Sequence, residues 1–175
     1  TRVALVRTGQ VQYAEQIPLQ QIKDLKADRS IKVESVAAPG AATVRMNPKV
    51  PPFDKPQVRQ AVAYATDYTA IGEAVFLGLG TRSRSMLNPP IPGATNAYRY
   101  ETNYEKAKQL LAEAGLPNGF DVTLEYSNNW WWEEPLALQM QASLARAGSF
   151  RIIAGTSGRG NGVRGIVRFH ACRDG

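Results

Sequence analysis

The sequence predicts an α/β protein, because segments of helical periodicity alternate along the chain with short segments that favour strands. Two neighbouring segments carry most of this prediction. Residues 103–115 repeat apolar side chains at the spacing of one helix face, and residues 120–126 then alternate strictly between apolar and polar side chains. Of the 175 residues, 43% are hydrophobic, so the chain can bury a core and is not disordered by composition.

The first 41 residues predict two short helices and two short strands. Residues 2–8 are predicted to be the last turns of a helix that ends at Gly9, and Pro18 is predicted to open a second helix. Alternating apolar residues predict one strand within residues 11–17 and another within residues 31–36.

The next segment is predicted to hold a strand followed by two helices. Residues 42–47 form the predicted strand. Asp54 is predicted to be the N-cap of a helix, with Gln57 three positions later as in a capping box. Asp67 is predicted to cap a second helix that ends near Gly78. The inner face of the first helix is predicted to consist of Val58, Ala61, Val62 and Ala65.

The rest of the main body predicts an irregular connection, a helix, a strand and a helix. Residues 81–100 contain three prolines and show no periodicity, so they predict an unusually long connection. Asn103 is predicted to cap the next helix, and the alternating strand follows. The last helix begins near Glu133 and Glu134, whose carboxylates favour its positive end. The inner faces of these two helices are predicted to consist of Tyr104, Ala107, Leu110, Leu111 and Ala114, and of Leu136, Met140, Leu144 and Ala147.

Charge and rare residues exclude several classes of protein. The formal net charge is +6, but residues 149–175 hold five arginines and one aspartate and so contribute +4. The remaining +2 gives the main body no basic face and predicts no nucleic-acid partner for it. The chain has one cysteine, Cys172, and one histidine, His170, which excludes an internal disulfide and argues against a zinc site. No catalytic constellation is recognisable, so the sequence predicts neither an enzyme nor a bound cofactor.

Several short motifs in a fixed order resemble one protein family. They read VRMN at 44–47, PPFD at 51–54 and VRQA at 58–61, followed by YEKAKQLLAEAG at 104–115 and PNGF at 117–120. In this order the chain resembles the solute-binding proteins of ABC importers, extracellular family 5, the peptide- and nickel-binding type. Each motif is short, but their joint order covers most of residues 1–148.

The resemblance implies an incomplete part of a two-lobed, periplasmic-binding-protein-like fold of type II. Residues 1–41 would be the end segment of the first lobe, residues 42–47 a hinge strand, and residues 48–148 a part of the second lobe. On the hinge strand, Arg45 and Asn47 are candidates for positioning the hinge. Ordinary hydrogen bonding at the end of a strand is the simpler explanation of both residues.

The implied function is that of the extracytoplasmic solute-binding component of an ABC importer. Such a protein binds a short peptide, or a nickel complex, an oligosaccharide or an opine, between its two lobes. It delivers this solute to an ABC permease in the inner membrane. The resemblance therefore implies a periplasmic or otherwise extracytoplasmic location, a monomer, and no covalent chemistry.

The candidate ligand-binding residues follow the strand 120–126, because clefts in open α/β lobes lie at such strand ends. Tryptophan offers a large rigid surface with one N–H donor, and asparagine offers both a donor and an acceptor. The alternative is that one or two of the tryptophans pack into the core. The proline-rich segment 87–97 is better explained as a rigid surface connection. The predicted ligand-binding residues are Asn128, Asn129, Trp130, Trp131 and Trp132.

Residues 149–175 depart from the pattern of the family. They contain six glycines and five arginines and show no helical periodicity. We expect an atypical Arg/Gly-rich tail that is either disordered or the product of a changed reading frame near residue 149. The alternative function of the chain is nucleic-acid or anion binding through this tail, because arginines between glycines form a flexible, charged contact segment.

Overall fold

The chain divides into two units, Thr1–Ala38 and Pro39–Gly175. The computed structural model describes residues 2–15, 17–34, 41–89, 91–126, 130–148, 150–156 and 166–171. The assignment of residues 1–41, 42–47 and 48–148 to one lobe, a hinge strand and a second lobe stays a prediction.

The first unit contains two helices, α1 (Arg2–Arg7) and α2 (Leu19–Ala27), where the sequence predicts them. Gly9 follows α1 with a φ of 68°, a conformation that glycine adopts without a steric penalty. The strands predicted within residues 11–17 and 31–36 were wrong for the described parts of both ranges. An alternating pattern gives a strand only where its backbone pairs with a neighbouring strand.

The second unit is built around one four-stranded sheet of order β1-β4-β2-β3. β1 pairs in parallel with β4, β4 pairs antiparallel with β2, and β2 pairs in parallel with β3. In chain order its elements are β1 (Thr43–Met46), α3 (Pro56–Ala65), α4 (Tyr68–Ala74), α5 (Tyr104–Glu113), β2 (Phe120–Tyr126), α6 (Glu133–Arg146), β3 (Phe150–Thr156) and β4 (Ile166–Ala171).

Two of these strands correct the prediction for residues 149–175. β3 aligns Phe150 with Phe120 of β2, and β4 lies between β1 and β2. Disorder was therefore wrong for residues 150–156 and 166–171, and a changed reading frame near residue 149 stays a prediction. A composition rich in arginine and glycine does not predict a strand. A strand is stabilised by its pairing with neighbours that are remote in the sequence, so its own composition does not decide whether it forms. Residues 157–165 and 172–175 lie outside the described part of the chain.

Two helices of the second unit, α4 and α5, begin at a side-chain cap. Asp67 accepts a hydrogen bond from the N–H of Ala70 at 2.9 Å, and Asn103 accepts one from the N–H of Lys106, also at 2.9 Å. Both predicted caps are therefore confirmed. Each side-chain oxygen satisfies a backbone donor that has no partner within the helix.

The capping box predicted at Asp54 is wrong. α3 begins at Pro56, and the residue before it, Lys55, makes no side-chain capping bond. Proline favours the first helical position, because it has no N–H to satisfy and its φ is already helical. Arg59 holds the preceding turn by donating from Nη1 to the carbonyl oxygens of Phe53, at 2.6 Å, and Asp54, at 3.0 Å.

The core of the second unit lies where α3 packs against α5 and α6, and α6 packs on β2 and β3. Most of its fully buried side chains come from the predicted helix faces and from alternate positions of β2, and Phe53 and Ala137 are buried in addition. The fully buried side chains include Phe53, Val58, Ala61, Ala65, Ala107, Leu111, Val122, Leu124, Ala137, Leu144 and Ala147, all at 0% exposure. The order of apolar residues in the sequence therefore decides which face of each element is buried.

The segment 81–100 forms no helix or strand in its described residues, as the sequence predicts. Of the helices in the described ranges, none has the length and apolar character that crossing a bilayer requires. The same ranges contain no group of three or more histidine, cysteine, aspartate or glutamate side chains placed to hold a metal ion.

Candidate functional site

The carboxyl end of β2 leads into the three tryptophans of the chain. Two of the predicted ligand-binding residues, Asn128 and Asn129, lie outside the described residues. The carbonyl of Trp130 accepts a hydrogen bond from the N–H of Glu133 at 3.2 Å, and the carbonyl of Trp132 accepts one from the N–H of Leu136 at 3.0 Å. These bonds fix the backbone of residues 130–132 to the first turn of α6.

The three tryptophans have different surroundings. Trp132 is half-buried and packs against the core, which is the structural role that the sequence offers as the alternative. Trp130 is half-buried, and Trp131 is 37% exposed. The ring of Trp131 meets the ring of Phe76 edge-on, with centroids 6.1 Å apart and planes at 75°. This contact orients Trp131 and leaves part of its indole available at the surface.

Phe76 was missed by the sequence prediction. It follows α4 and lies 55 positions before its partner, so no local pattern joins the two rings. Leu77 and Leu79 follow within three residues of Phe76 and are 44% and 54% exposed. The surface near the end of α4 is therefore apolar, which suits the apolar parts of a solute.

Tyr126 is the last residue of β2 and is 8% exposed. Burial raises the pKa of its hydroxyl, and the neighbouring Glu134 carboxylate raises that pKa further through its charge and a hydrogen bond. Tyr126 therefore stays a neutral donor at physiological pH. Glu133 and Glu134 both lie in the first turn of α6, where the helix dipole favours negative charge, as the sequence predicts.

The two predicted hinge residues lie at the end of β1. Arg45 is exposed and stands opposite Arg168 of β4 in the sheet register. Asn47 accepts a hydrogen bond on Oδ1 from the N–H of Lys49 at 3.0 Å, and its carbonyl accepts one from Val50 at 3.1 Å. Asn47 thus makes the local turn that the sequence offers as the simpler explanation. A role of both residues in positioning a hinge stays a prediction.

A cluster of two arginines on one carboxylate is the second polar feature of this unit, and the sequence prediction missed it. Arg82 Nη1 lies 2.8 Å from Glu101 Oε2, and Arg84 Nη1 lies 2.7 Å from Glu101 Oε1. The guanidinium of Arg82 also stacks on the ring of Tyr68, 3.5 Å from its centroid, and donates from Nη2 to the carbonyl of Tyr100. The two arginines hold the pKa of Glu101 below its usual value. The cluster joins the two ends of the irregular segment.

A comparison with known protein families matches residues 1–154 of the chain. The matching family is described as "Bacterial extracellular solute-binding proteins, family 5 Middle". The match continues past residue 149 into β3, so the departure from the family pattern lies further along the chain than the sequence prediction placed it.

One curated relative is the glutathione-binding protein GsiB of Pectobacterium atrosepticum, which is 36% identical over 150 residues. The match covers 85% of this chain and 29% of the relative. The chain therefore spans less than a third of the length of the curated relatives it matches.

Two solved structures are similar to this fold. One is the periplasmic binding protein DppA of Helicobacter pylori in complex with the peptide STSA, with a TM-score of 0.75 and 25% identity over 89% of this chain and 30% of that chain. The other is a dipeptide-binding protein of Pseudoalteromonas sp. SM9913 in complex with Met-Leu, with a TM-score of 0.72 and 27% identity over 89% and 32% of the two chains. All three relatives are binding proteins for small solutes, and none of them favours the nucleic-acid alternative.

Proposed function

Because the chain belongs to the bacterial extracellular solute-binding proteins of family 5, we propose that it is part of the solute-binding component of an ABC importer. The family is extracellular, which confirms the predicted periplasmic or extracytoplasmic location. In this proposal residues 1–41 belong to the first of two lobes of a type II binding protein, residues 42–47 to the hinge strand, and residues 48–148 to the second lobe. A solute bound between the lobes is delivered to a permease in the inner membrane, without covalent chemistry.

The observation that carries the proposal is the position of the tryptophans. Trp131 is partly exposed at the carboxyl end of β2, within a segment that the family model covers. Its orientation is fixed by Phe76 and by the bonds that tie residues 130–132 to α6. A preoriented aromatic surface binds a solute without losing side-chain entropy at the moment of binding.

The solute class proposed is a short peptide. The relatives described above bind glutathione, the peptide STSA and the dipeptide Met-Leu, all of them short peptides or peptide-like. The face of an indole stacks on a planar peptide group or an apolar side chain, and its N–H donates to a carbonyl oxygen. We assign this contact to Trp131, with Trp130 beside it and Asn128 and Asn129 as further candidates. Arg45 and Asn47 keep their proposed role at the hinge.

Tryptophan emission tests the proposal directly, because the three tryptophans of the chain are all at 130–132. Titration with glutathione, Met-Leu and Ser-Thr-Ser-Ala is expected to shift or quench this emission. The titration should reach roughly 10 mM, since a Kd of 1 mM corresponds to only about −4.1 kcal/mol of binding free energy. A solute-binding surface on one lobe alone is expected to bind in this weak range.

The matched variants are Trp131→Leu and Leu138→Ala. Leu138 is 51% exposed on α6 and serves as the control, because it belongs to the same helix but not to the predicted site. The peptide response is expected to disappear in Trp131→Leu, as judged by thermal shift, and to persist in Leu138→Ala. If no peptide changes the emission or the melting temperature of the parent chain, the assignment of the tryptophans to a peptide site is wrong.

A further inference from the structure

A pocket of about 240 Å³ lies within the irregular segment 81–100. The residues that line it include Arg82, Arg84, Leu87, Thr95 and Asn96. This pocket is smaller than the roughly 300–1,000 Å³ of a typical site for a drug-sized ligand, so it fits a small molecule or the end of a larger one.

The charge of the pocket is not balanced by its own residues. Arg82 and Arg84 share the single carboxylate of Glu101, which leaves one positive charge in the cluster. Of the described residues that line the pocket, none is acidic. A positive charge without a matching carboxylate attracts a small anion to the surface depression that it lines.

Both arginines are held in place but remain accessible. Their side chains are 26% and 36% exposed. The stacking of Arg82 on Tyr68, 3.5 Å from the ring centroid, leaves the edge of the guanidinium available to a partner in its plane. Each guanidinium has five N–H donors, and the bonds to Glu101 and Tyr100 use only some of them.

We propose that this pocket is a binding site for a small anion that carries a carboxylate group. The fork of guanidinium donors matches the two oxygens of a carboxylate, and the polar residues Thr95 and Asn96 also line the pocket. One bound monoanion neutralises the residual charge of the cluster. The site is separate in sequence from the tryptophans at 130–132, and it does not depend on the proposed peptide function.

The experiment is an NMR titration of the uniformly ¹⁵N-labelled chain with sodium acetate, with sodium chloride at the same ionic strength as the reference. Acetate is expected to shift the amide signals of residues 82–96 and to saturate, whereas chloride is not. The variant Arg84→Gln removes one guanidinium and leaves Arg82 on Glu101 and Tyr68. Its acetate affinity is expected to fall by about tenfold or more, as the loss of a charge-assisted hydrogen bond implies.

Two control pairs separate local binding from a general effect of charge. Arg99→Gln makes the same charge change at an exposed position that does not line the pocket, and it is expected to keep the affinity within about twofold. Leu87→Glu places a negative charge in the pocket wall and is expected to abolish binding. Met86→Glu is the control for Leu87→Glu, because it makes the same charge change at the neighbouring residue, whose side chain is 86% exposed and does not line the pocket.

Three results would overturn the proposal. The first is an identical response of the parent chain to acetate and chloride. The second is an equal loss of affinity in Arg84→Gln and Arg99→Gln, which would mean that net charge alone attracts the anion. The third is unchanged acetate binding in Leu87→Glu, because a charge in the wall of a true site cannot be without effect.

Discussion

Replacing Ser143 with alanine is expected to lower the free energy of unfolding by about 2 kcal/mol, because one buried hydroxyl serves two backbone groups. Ser143 lies in α6 and is 2% exposed. Its Oγ donates to the carbonyl of Ala65 and accepts from the N–H of Asp67, both at 2.6 Å. These partners stand on either side of the junction between α3 and α4. The hydroxyl therefore joins three helices through two hydrogen bonds.

The magnitude follows from what the substitution leaves behind. A buried polar group that loses its hydrogen bond costs about 1–3 kcal/mol. Alanine is the better helix former, but by no more than about 0.7 kcal/mol, so the local gain offsets only part of the loss. The variant Ala142→Ser measures this helix contribution at the preceding residue of α6, which is exposed. Its effect is expected to stay below about 0.7 kcal/mol.

Urea unfolding, followed by tryptophan emission and far-UV circular dichroism, measures the effect. With an m-value of about 2 kcal/mol/M, a loss of 2 kcal/mol lowers the midpoint by about 1 M urea at unchanged slope. A midpoint for Ser143→Ala that coincides with that of the parent would refute the reasoning, since it would mean that the two hydrogen bonds add nothing to stability.

Three further predictions concern the same unit. Leu111→Ala, at a side chain with 0% exposure, is expected to cost about 2–5 kcal/mol in urea unfolding; an equal cost for Leu138→Ala, at 51% exposure, would count against it. Asn103→Ala removes the side-chain oxygen that accepts a hydrogen bond from the N–H of Lys106 at 2.9 Å, and it is expected to lower the free energy of unfolding by about 1 kcal/mol. Asn103→Asp keeps an acceptor at this position and is expected to recover the loss, as measured by thermal unfolding. The pKa of Glu101 is lower in the folded chain than in the unfolded chain. The ionised carboxylate therefore adds stability above the usual glutamate pKa of about 4.3, and this stability is lost as the pH falls through the pKa that Glu101 has in the folded chain. The melting temperatures of the parent and Glu101→Gln should therefore converge below about pH 4, and a constant difference down to lower pH would contradict the ion pairs.

The helices show how far local sequence reasoning reaches. The caps at Asp67 and Asn103 were predicted correctly, because a capping side chain binds a backbone N–H only three residues away. The cap at Asp54 was wrong for an equally local reason. Pro56 needs no hydrogen-bond acceptor, so it can begin the helix one residue later than the pattern indicated.

The candidate site was predicted in part. The resemblance to the family identified the segment that carries the tryptophans, and the alternating strand before it was correct. The ring contact between Trp131 and Phe76 and the two arginines on Glu101 were missed. The partners in these contacts lie 17 to 55 positions apart, and no periodicity relates them.

The sequence by itself determined the helices, their buried faces and the family, because helical hydrogen bonds connect residues four positions apart and leave a periodic pattern of side chains. Only the tertiary structure decided which extended segments became strands. The alternating residues near Val11 pair with no strand in the described part of the chain, whereas Ile166–Ala171, in a segment of arginines and glycines, lies at the centre of the sheet. A strand exists only through hydrogen bonds to a neighbour that is remote in sequence, and that neighbour is chosen by the folded chain.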